Sequence, residues 1–383
     1  MRLHARGSWL AVSIGLAATG GCSSSTGSTG SSGNTTPDGS ASDAPSVGPD
    51  AEGMDATGGN TDGGRIPEAG AGDASAGDAA ASGPVVGGCP VFPADYPYNQ
   101  NISQAALDPG SATYIANLVS RAGTINPPTS PSEYINIVPS SQTNVTVQFG
   151  SGGGQWGFDT SDTFESSSAS TAPAPIPSGV VYENMNTPNS DHHMMVVVQG
   201  SCRLFELYAW NPSSATSGWE ALVTWNLDKN EQLPDGWGST TAAGTPLLAG
   251  IIRYDEVAAG EIPHAIDIVI SGADLDAFAY VKPAARSAGA CGSAYPTDGF
   301  PYGGRLRLKA SFDTSAYTGT QALVIARALK KYGMINTDDS GYNRADFRLG
   351  PGNWDTTDLS QLKLTWDDFE VPTMTLVQSK ACN

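Results

Sequence analysis

Alternating and β-branched apolar runs dominate the centre of the chain and predict strands. Residues 193–198 form a short β-branched run, and residues 203–208 follow after a Gln-Gly-Ser-Cys turn, which predicts a hairpin. In the run at 264–270, His264 and three isoleucines recur at every second position and would share one strand face. Further strands are predicted at 221–227, 250–257 and 305–310.

Helical periodicity is rarer. Residues 111–122 and 320–332 carry apolar stripes at helical spacing, and Gly333 is placed to end the second helix. The proline-rich stretch at 171–177 predicts an extended surface connection. Many short strands with few helices predict a mainly-β fold, a β-sandwich or jelly roll with one or two peripheral helices.

The first 22 residues have the pattern of an export signal. Arg2 and Arg6 precede an apolar run that ends in the small residues Thr-Gly-Gly and then Cys22. That junction resembles a bacterial lipobox, although Thr19 stands where leucine is usual. We expect residues 1–22 to be a lipoprotein signal peptide and Cys22 to be lipidated. Ordinary cleavage that leaves Cys22 as a free thiol is the alternative.

Composition divides the remainder into two parts. Residues 23–88 are mostly Ser, Gly, Ala, Thr and Asp with no aromatic side chain, so we expect a disordered acidic tether. Residues 89–383 are rich in apolar runs and are predicted to form a single β-rich globular domain. The net charge of −19 disfavours nucleic acid and anionic membrane surfaces as partners, and leaves the lipid anchor as the expected membrane contact. These features predict an outer-membrane lipoprotein or secreted protein that faces the cell exterior or the periplasm.

Four cysteines remain after Cys22. An even number in an exported domain predicts two disulfides, and the sequence leaves all three connectivities open. Their spacing fits no zinc motif, and we expect no metal and no cofactor. The four are Cys89, Cys202, Cys291 and Cys382.

A series of short segments runs through the domain: VFPADYPYN at 91–99, DHH at 191–193, CRLFELY at 202–208, RYDEV at 253–257, GEIPHA at 260–265, RLRLKA at 305–310 and KYGM at 331–334. In this series the chain resembles a family of secreted bacterial proteins, in which the position of His192 is more often Arg. The resemblance spans almost all of residues 89–371. It implies one continuous domain and implies no activity.

Charged side chains interrupt the apolar strand runs, which is costly unless the charges are paired or functional. These candidate catalytic or binding residues are Asp191, His193, Glu206, Arg253, Asp255, Glu256 and His264.

The leading chemistry is glycoside hydrolysis by two carboxylates. Glu206 is the candidate acid, and Asp255 or Glu256 is its partner. We favour Glu256, because Arg253 could then pair with Asp255 on the opposite strand face. His193, Glu206, one of these acids and His264 are predicted to meet in one pocket.

Other readings stay open. Polysaccharide elimination would use His264 or Tyr254 as base and Arg253 to neutralise a uronate. A metal site of His193, Glu206 and His264 is less favoured, because no metal-binding spacing supports it.

The aromatic residues fit a carbohydrate partner, with Trp237 and Tyr254 as candidate contacts. We therefore expect a carbohydrate-active surface protein that hydrolyses an extracellular polysaccharide. A non-catalytic module that binds a polysaccharide or another cell-envelope component is the alternative.

Overall fold

Sheet dominates the part of the chain that is described. A computed structural model describes residues 83–158, 170–287 and 296–378, all within the compact unit Asp78–Asn383. Strand accounts for 32% of the structure and helix for 17%, so the mainly-β prediction is confirmed. The predictions for the signal peptide, for Cys22, for the tether up to residue 82, and for Cys291 and Cys382 lie outside the described residues.

Seventeen strands are described. They are β1 (Val85–Val86), β2 (Cys89–Pro90), β3 (Thr124–Ile125), β4 (Ile135–Val138), β5 (Val145–Phe158), β6 (Thr171–Ala174), β7 (His192–Val198), β8 (Arg203–Ala209), β9 (Ser217–Asn226), β10 (Ile266–Ser271), β11 (Leu275–Val281), β12 (Phe300–Tyr302), β13 (Arg305–Leu308), β14 (Met334–Ser340), β15 (Arg344–Phe347), β16 (Phe369–Glu370) and β17 (Leu376–Gln378).

Four α-helices are described: α1 (Ser111–Arg121), α2 (Tyr254–Ala259), α3 (Thr320–Lys331) and α4 (Thr356–Leu359). The two long ones, α1 and α3, are the helices that the periodicity predicts. Short 3-10 turns lie at Pro97–Asn99, Leu247–Gly250, Gly272–Asp274 and Trp366–Asp368. None of the helices in the described ranges combines the length and the hydrophobicity that a membrane-spanning segment requires.

The first large sheet has six strands in the order β4-β7-β8-β9-β5-β6. β7 and β8 form the predicted antiparallel hairpin, with His193 opposite Tyr208 and Met195 opposite Glu206. Because side chains alternate between the faces of a strand, these four residues lie on one face of the sheet. The pairs β4–β7 and β5–β9 are parallel, so the sheet is mixed.

The second large sheet has the order β16-β13-β14-β10-β15-β3, and a smaller sheet has the order β12-β11-β17. β10 and β14 run parallel at the centre of the second sheet. The isoleucines of β10, at 266, 268 and 270, belong to the hydrophobic cluster that also includes Leu118 of α1 and Ile325 of α3. Asp267 alternates with them and therefore faces the other side of the sheet.

A second hydrophobic cluster joins the two large sheets. It includes Met195 and Val223 of the first sheet and Ile335 of the second. The two sheets therefore pack as a sandwich, with helices α1 and α3 on the far side of the second sheet.

Ordered structure begins before residue 89. Val85–Val86 pairs with Cys89–Pro90 across Gly87 and Gly88, which have φ values of +59° and +83°. Two adjacent positive φ angles suit a tight hairpin turn that glycine adopts without strain. The last residues of the predicted tether, Val85 to Gly88, therefore belong to this hairpin of the folded domain.

Two local predictions are wrong. Residues 250–257 are not a strand, because the chain forms α2 from Tyr254, and Gly260 ends that helix at φ +93°. Acidic side chains at 255 and 256 stabilise the N-terminus of a helix, which the apolar pattern concealed. Residues 171–174 form the edge strand β6 rather than an unpaired connection, and an edge position tolerates Pro173.

Candidate functional site

A broad cleft of about 1080 Å³ is lined by residues of both large sheets. β7 and β8 contribute His193 and Tyr208, and β14 and β15 contribute Asp338 and Asp346. Loop residues 183–184, 190–191 and 239–242 complete much of the wall. Polar side chains from distant parts of the sequence therefore share one concave surface, which is the common form of a ligand site.

Arg348 joins two carboxylates of the cleft. Its Nη1 donates to Glu133 Oε1 at 2.9 Å, and its Nη2 donates to Asp338 Oδ2 at 2.7 Å. The backbone N–H of Glu133 donates to the carbonyl of Leu349, which fixes Glu133 beside Arg348. Burial raises the pKa of Glu133, and the neighbouring Glu183 carboxylate raises it further. Burial also raises the pKa of Asp338, to about 6, even though Arg348 opposes the shift.

Glu183 and His193 form a second pair. His193 Nδ1 lies 2.5 Å from Glu183 Oε2, and His193 Nε2 lies 2.9 Å from the carbonyl oxygen of Thr240. Burial alone would lower the pKa of His193, but the Glu183 carboxylate raises it to about 9. The same interaction lowers the pKa of Glu183, against the effect of its burial.

Tyr208 is hydrogen-bonded to another acid of the cleft. Its hydroxyl donates to Asp191 Oδ1 at 3.0 Å, and its ring contacts the His193 ring with centroids 5.2 Å apart. Burial raises the pKa of Tyr208, and the negative charges of Asp191 and Asp338 raise it further. Both carboxylates therefore act on one phenol.

Two aromatic side chains of the cleft are open to solvent. Trp210 is 51% exposed and Tyr342 is 67% exposed. The Arg344 guanidinium lies over the Tyr342 ring at 4.6 Å from its centroid. Exposed aromatic faces beside polar groups are suitable for stacking against the apolar face of a sugar ring.

Of the predicted catalytic residues, His193 and Asp191 line the cleft. Glu206 shares the sheet face of His193, as predicted, but it is fully buried. Its carboxylate accepts bonds from the Leu248 N–H at 3.0 Å, from Trp225 Nε1 at 3.0 Å and from Thr240 Oγ1 at 3.1 Å. Glu206 thus ties β8 to the turn before Ile251, and burial raises its pKa.

Glu256 and His264 belong to another buried group. His264 Nε2 lies 3.0 Å from Glu256 Oε2, and Arg253 donates to Glu256 Oε1. The proposed pairing of Arg253 with Asp255 is therefore secondary, since those charges are 3.7 Å apart and Asp255 is exposed. This group does not line the cleft, so the structure does not bring the predicted carboxylates and imidazoles together there.

The predicted aromatic contacts also lie outside the cleft lining. Tyr254 packs edge-on against Trp354 with centroids 5.2 Å apart. Trp237 is partly buried against the core between the sheets. Both side chains fit a packing role in this fold.

One disulfide is described, between Cys89 and Cys202. It connects β2 with the β7–β8 turn. The prediction that both cysteines are disulfide-bonded is confirmed, and the structure selects their pairing, which the sequence left open.

Sequence reasoning missed Glu133, Glu183, Asp338 and Arg348. Glu133 and Glu183 lie outside the regular strands. An acidic residue in a loop is common, so the sequence did not indicate that either one is buried. Asp338 offered a signal, because the apolar start of β14 gives way to adjacent acids at its C-terminal end. Arg348 gave no signal, because its partner Glu133 is 215 residues away in sequence.

Comparison with protein-family models, with curated proteins and with solved structures finds no match for this chain.

Proposed function

We propose that the protein hydrolyses an extracellular glycan in this cleft, with Asp338 as general acid and Asp191 as the second carboxylate. The observation that carries the proposal is that both acids line one cleft that also presents exposed aromatic residues. Glycoside hydrolysis needs one carboxyl that is held protonated and one carboxylate that stays ionised.

Asp338 has the properties of the acid. Its side chain is 19% exposed, so a substrate can reach it from the cleft. A pKa near 6 keeps a useful fraction of the carboxyl protonated close to neutral pH. Arg348 holds one carboxylate oxygen and thereby orients the group.

Asp191 is suited to the complementary role. It is exposed, and the Tyr208 hydroxyl donates to one of its oxygens. Its exposure leaves this carboxylate open to water and to substrate, as the second carboxylate of a glycosidase requires. Asp191 was among the residues that the sequence singled out, whereas Asp338 was not.

The glycan is the partner that the cleft fits best. Its volume of about 1080 Å³ lies near the upper end of the range for ligand pockets. Trp210 and Tyr342 offer exposed rings for sugars, with Arg344 already stacked on the Tyr342 ring. A signal peptide, lipidation at Cys22 and an acidic tether would hold the domain at the cell surface, within reach of polysaccharides.

A non-catalytic polysaccharide-binding module is the second candidate. The exposed Trp210 and Tyr342 favour it. It is also favoured because Glu206 and Glu256 each bond to buried partners within the fold, Trp225 and His264 respectively. A binding module would retain glycan affinity and release no product.

The test is product release from a panel of neutral and charged polysaccharides by the full-length chain, read by mass spectrometry of new reducing ends. We expect hydrolysis of at least one glycan, with a rate that declines as pH rises above about 6 because Asp338 loses its proton. Asp338→Asn should slow it by at least about 100-fold.

The matched control is Asp235→Asn, a carboxylate outside the cleft that is also paired with a cation, Lys282. It should retain the wild-type rate. Glycan binding without product from the wild-type protein would instead support the binding module.

A further inference from the structure

Three ligand-type side chains converge on the inner wall of the cleft. Glu133, Glu183 and His193 each offer one metal-ligating atom, and these atoms lie within 4.8 Å of one another. All three residues are buried. Their sequence separations are 50 and 10 residues, which is why no spacing motif reveals them.

The imidazole of His193 is oriented as in a metal ligand. The carbonyl oxygen of Thr240 can only accept, so Nε2 carries the hydrogen of that 2.9 Å bond. Nδ1 is thereby directed at Glu183. Metal-bound histidines usually donate their other ring N–H to a carboxylate or backbone carbonyl, which fixes the ring and its tautomer.

Glu133 supplies an independent sign of a missing ligand. Its side chain is 1% exposed, and its Oε2 has no hydrogen-bond partner within the described ranges. The other oxygen, Oε1, is held by Arg348. A buried carboxylate oxygen without a partner is costly, and a cation would satisfy it.

We propose that Glu133, Glu183 and His193 bind a divalent cation, and that this cation is Zn²⁺. One imidazole nitrogen and two carboxylate oxygens are ligands that zinc accepts, whereas Ca²⁺ and Mg²⁺ take oxygen ligands in larger number. Three protein ligands beside an open cleft match zinc sites that keep one position for water or substrate.

The site needs only a small rearrangement, in which the ion replaces the proton that His193 Nδ1 shares with Glu183. Zinc–ligand distances of about 2.0–2.2 Å place tetrahedral ligand atoms roughly 3.5 Å apart. His193 Nδ1 and Glu183 Oε2, which lie 2.5 Å apart, would separate by about 1 Å, and a pair at the 4.8 Å limit would close by about as much, within the reach of side-chain rotation. Arg348 and Thr240 would orient the ligands from outside the coordination sphere. The site stands independently of the glycan proposal, because zinc binding requires no substrate.

The test is calorimetric titration of the full-length protein with ZnCl₂, after free thiols are alkylated so that cysteines do not contribute. We expect one equivalent of zinc to bind, and CaCl₂ and MgCl₂ to bind at least about 100-fold more weakly. Glu183→Gln and His193→Gln should each weaken zinc binding by at least about 100-fold. Loss of a residue that only hydrogen-bonds to a ligand would weaken it less.

Asp346→Asn is the control, because this carboxylate lines the same cleft but lies outside the three-residue group. It should bind zinc as the wild type does. Circular dichroism would confirm that each variant is folded, and anomalous scattering from a zinc-soaked crystal would locate the ion directly.

The proposal is overturned if the alkylated wild-type protein binds no stoichiometric zinc. It is equally overturned if folded Glu183→Gln and His193→Gln both retain wild-type affinity, or if the anomalous peak lies away from these three residues.

Discussion

A single buried acid, Asp267, sets a pH dependence for the fold. It is fully buried between the sheets, with Oδ1 accepting from the Tyr98 hydroxyl at 2.8 Å. Burial raises its pKa to about 8, against the opposing effects of Arg348 and of the Tyr98 hydrogen bond. The folded state therefore holds a proton that an unfolded aspartate releases near pH 4.

The sign of the linkage follows from that difference. The contribution of Asp267 to stability is complete below about pH 4 and is lost as pH rises to about 8. Asn does not titrate, so Asp267→Asn should lack this loss of stability. The free energy of unfolding of the variant minus that of the wild type should therefore increase by about 1.4 kcal/mol per pH unit across this window. Urea unfolding at several pH values would measure the gap, and a constant gap would contradict the assignment.

Residue patterns predicted the faces of strands better than they predicted the site. The alternation in 193–198 and 203–208 correctly placed His193 and Glu206 on one sheet face. It could not show that Glu206 is enclosed by Trp225, Thr240 and Leu248, because Thr240 and Leu248 lie 34 and 42 residues away in sequence.

At the scale of elements, the turn Leu247–Gly250 packs directly against β10. A Cβ atom at Gly250 would lie 2.1 Å from Asp267 Oδ1 and 2.8 Å from the Asp267 backbone nitrogen. Glycine is therefore required here for the close approach of the turn to the strand.

Gly250→Ala should destabilise the fold by at least about 1–3 kcal/mol, because a methyl group cannot fit without displacing backbone. Gly341→Ala is the control, since nothing lies within 4 Å of its added Cβ. Chemical unfolding of both variants would check this. Equal stabilities would show that the turn can move away from β10.

Elements with a strong local period were predictable, and those defined by tertiary context were not. α1 and α3 follow from apolar stripes of three turns. α2 has only six residues, and its Arg253–Glu256 pairing at i, i+3 is hidden within an apolar run. A segment that short is helical because of its surroundings rather than its propensity.

At the scale of the whole molecule, Cys89–Cys202 closes a loop across 113 residues of sequence. A cross-link of that length restricts the unfolded chain substantially. It also fastens the first described hairpin to the first large sheet.

Replacing both cysteines with alanine should lower the free energy of unfolding by about 2–5 kcal/mol. Urea unfolding of the oxidised wild type and the double variant would measure the change. A loss below about 1 kcal/mol would contradict a stabilising bridge. Thiol labelling of the denatured, unreduced protein should leave both cysteines unmodified.

The architecture was more accessible from sequence than the site was. Mainly-β class and the β7–β8 hairpin follow from local alternation. The cleft joins Glu133, Glu183, His193, Asp338 and Arg348 from five separate segments, and local patterns carry no record of such distant contacts.

The central claim is that chemistry takes place at Asp338 in the cleft and that Glu206 serves the fold. The most direct measurement compares glycan hydrolysis by Asp338→Asn and Glu206→Gln at a temperature where both are folded. We predict that Asp338→Asn loses at least about 100-fold in rate. Glu206→Gln should lose stability and keep a rate close to that of the wild type. An active Asp338→Asn, or a folded but inactive Glu206→Gln, would contradict the account.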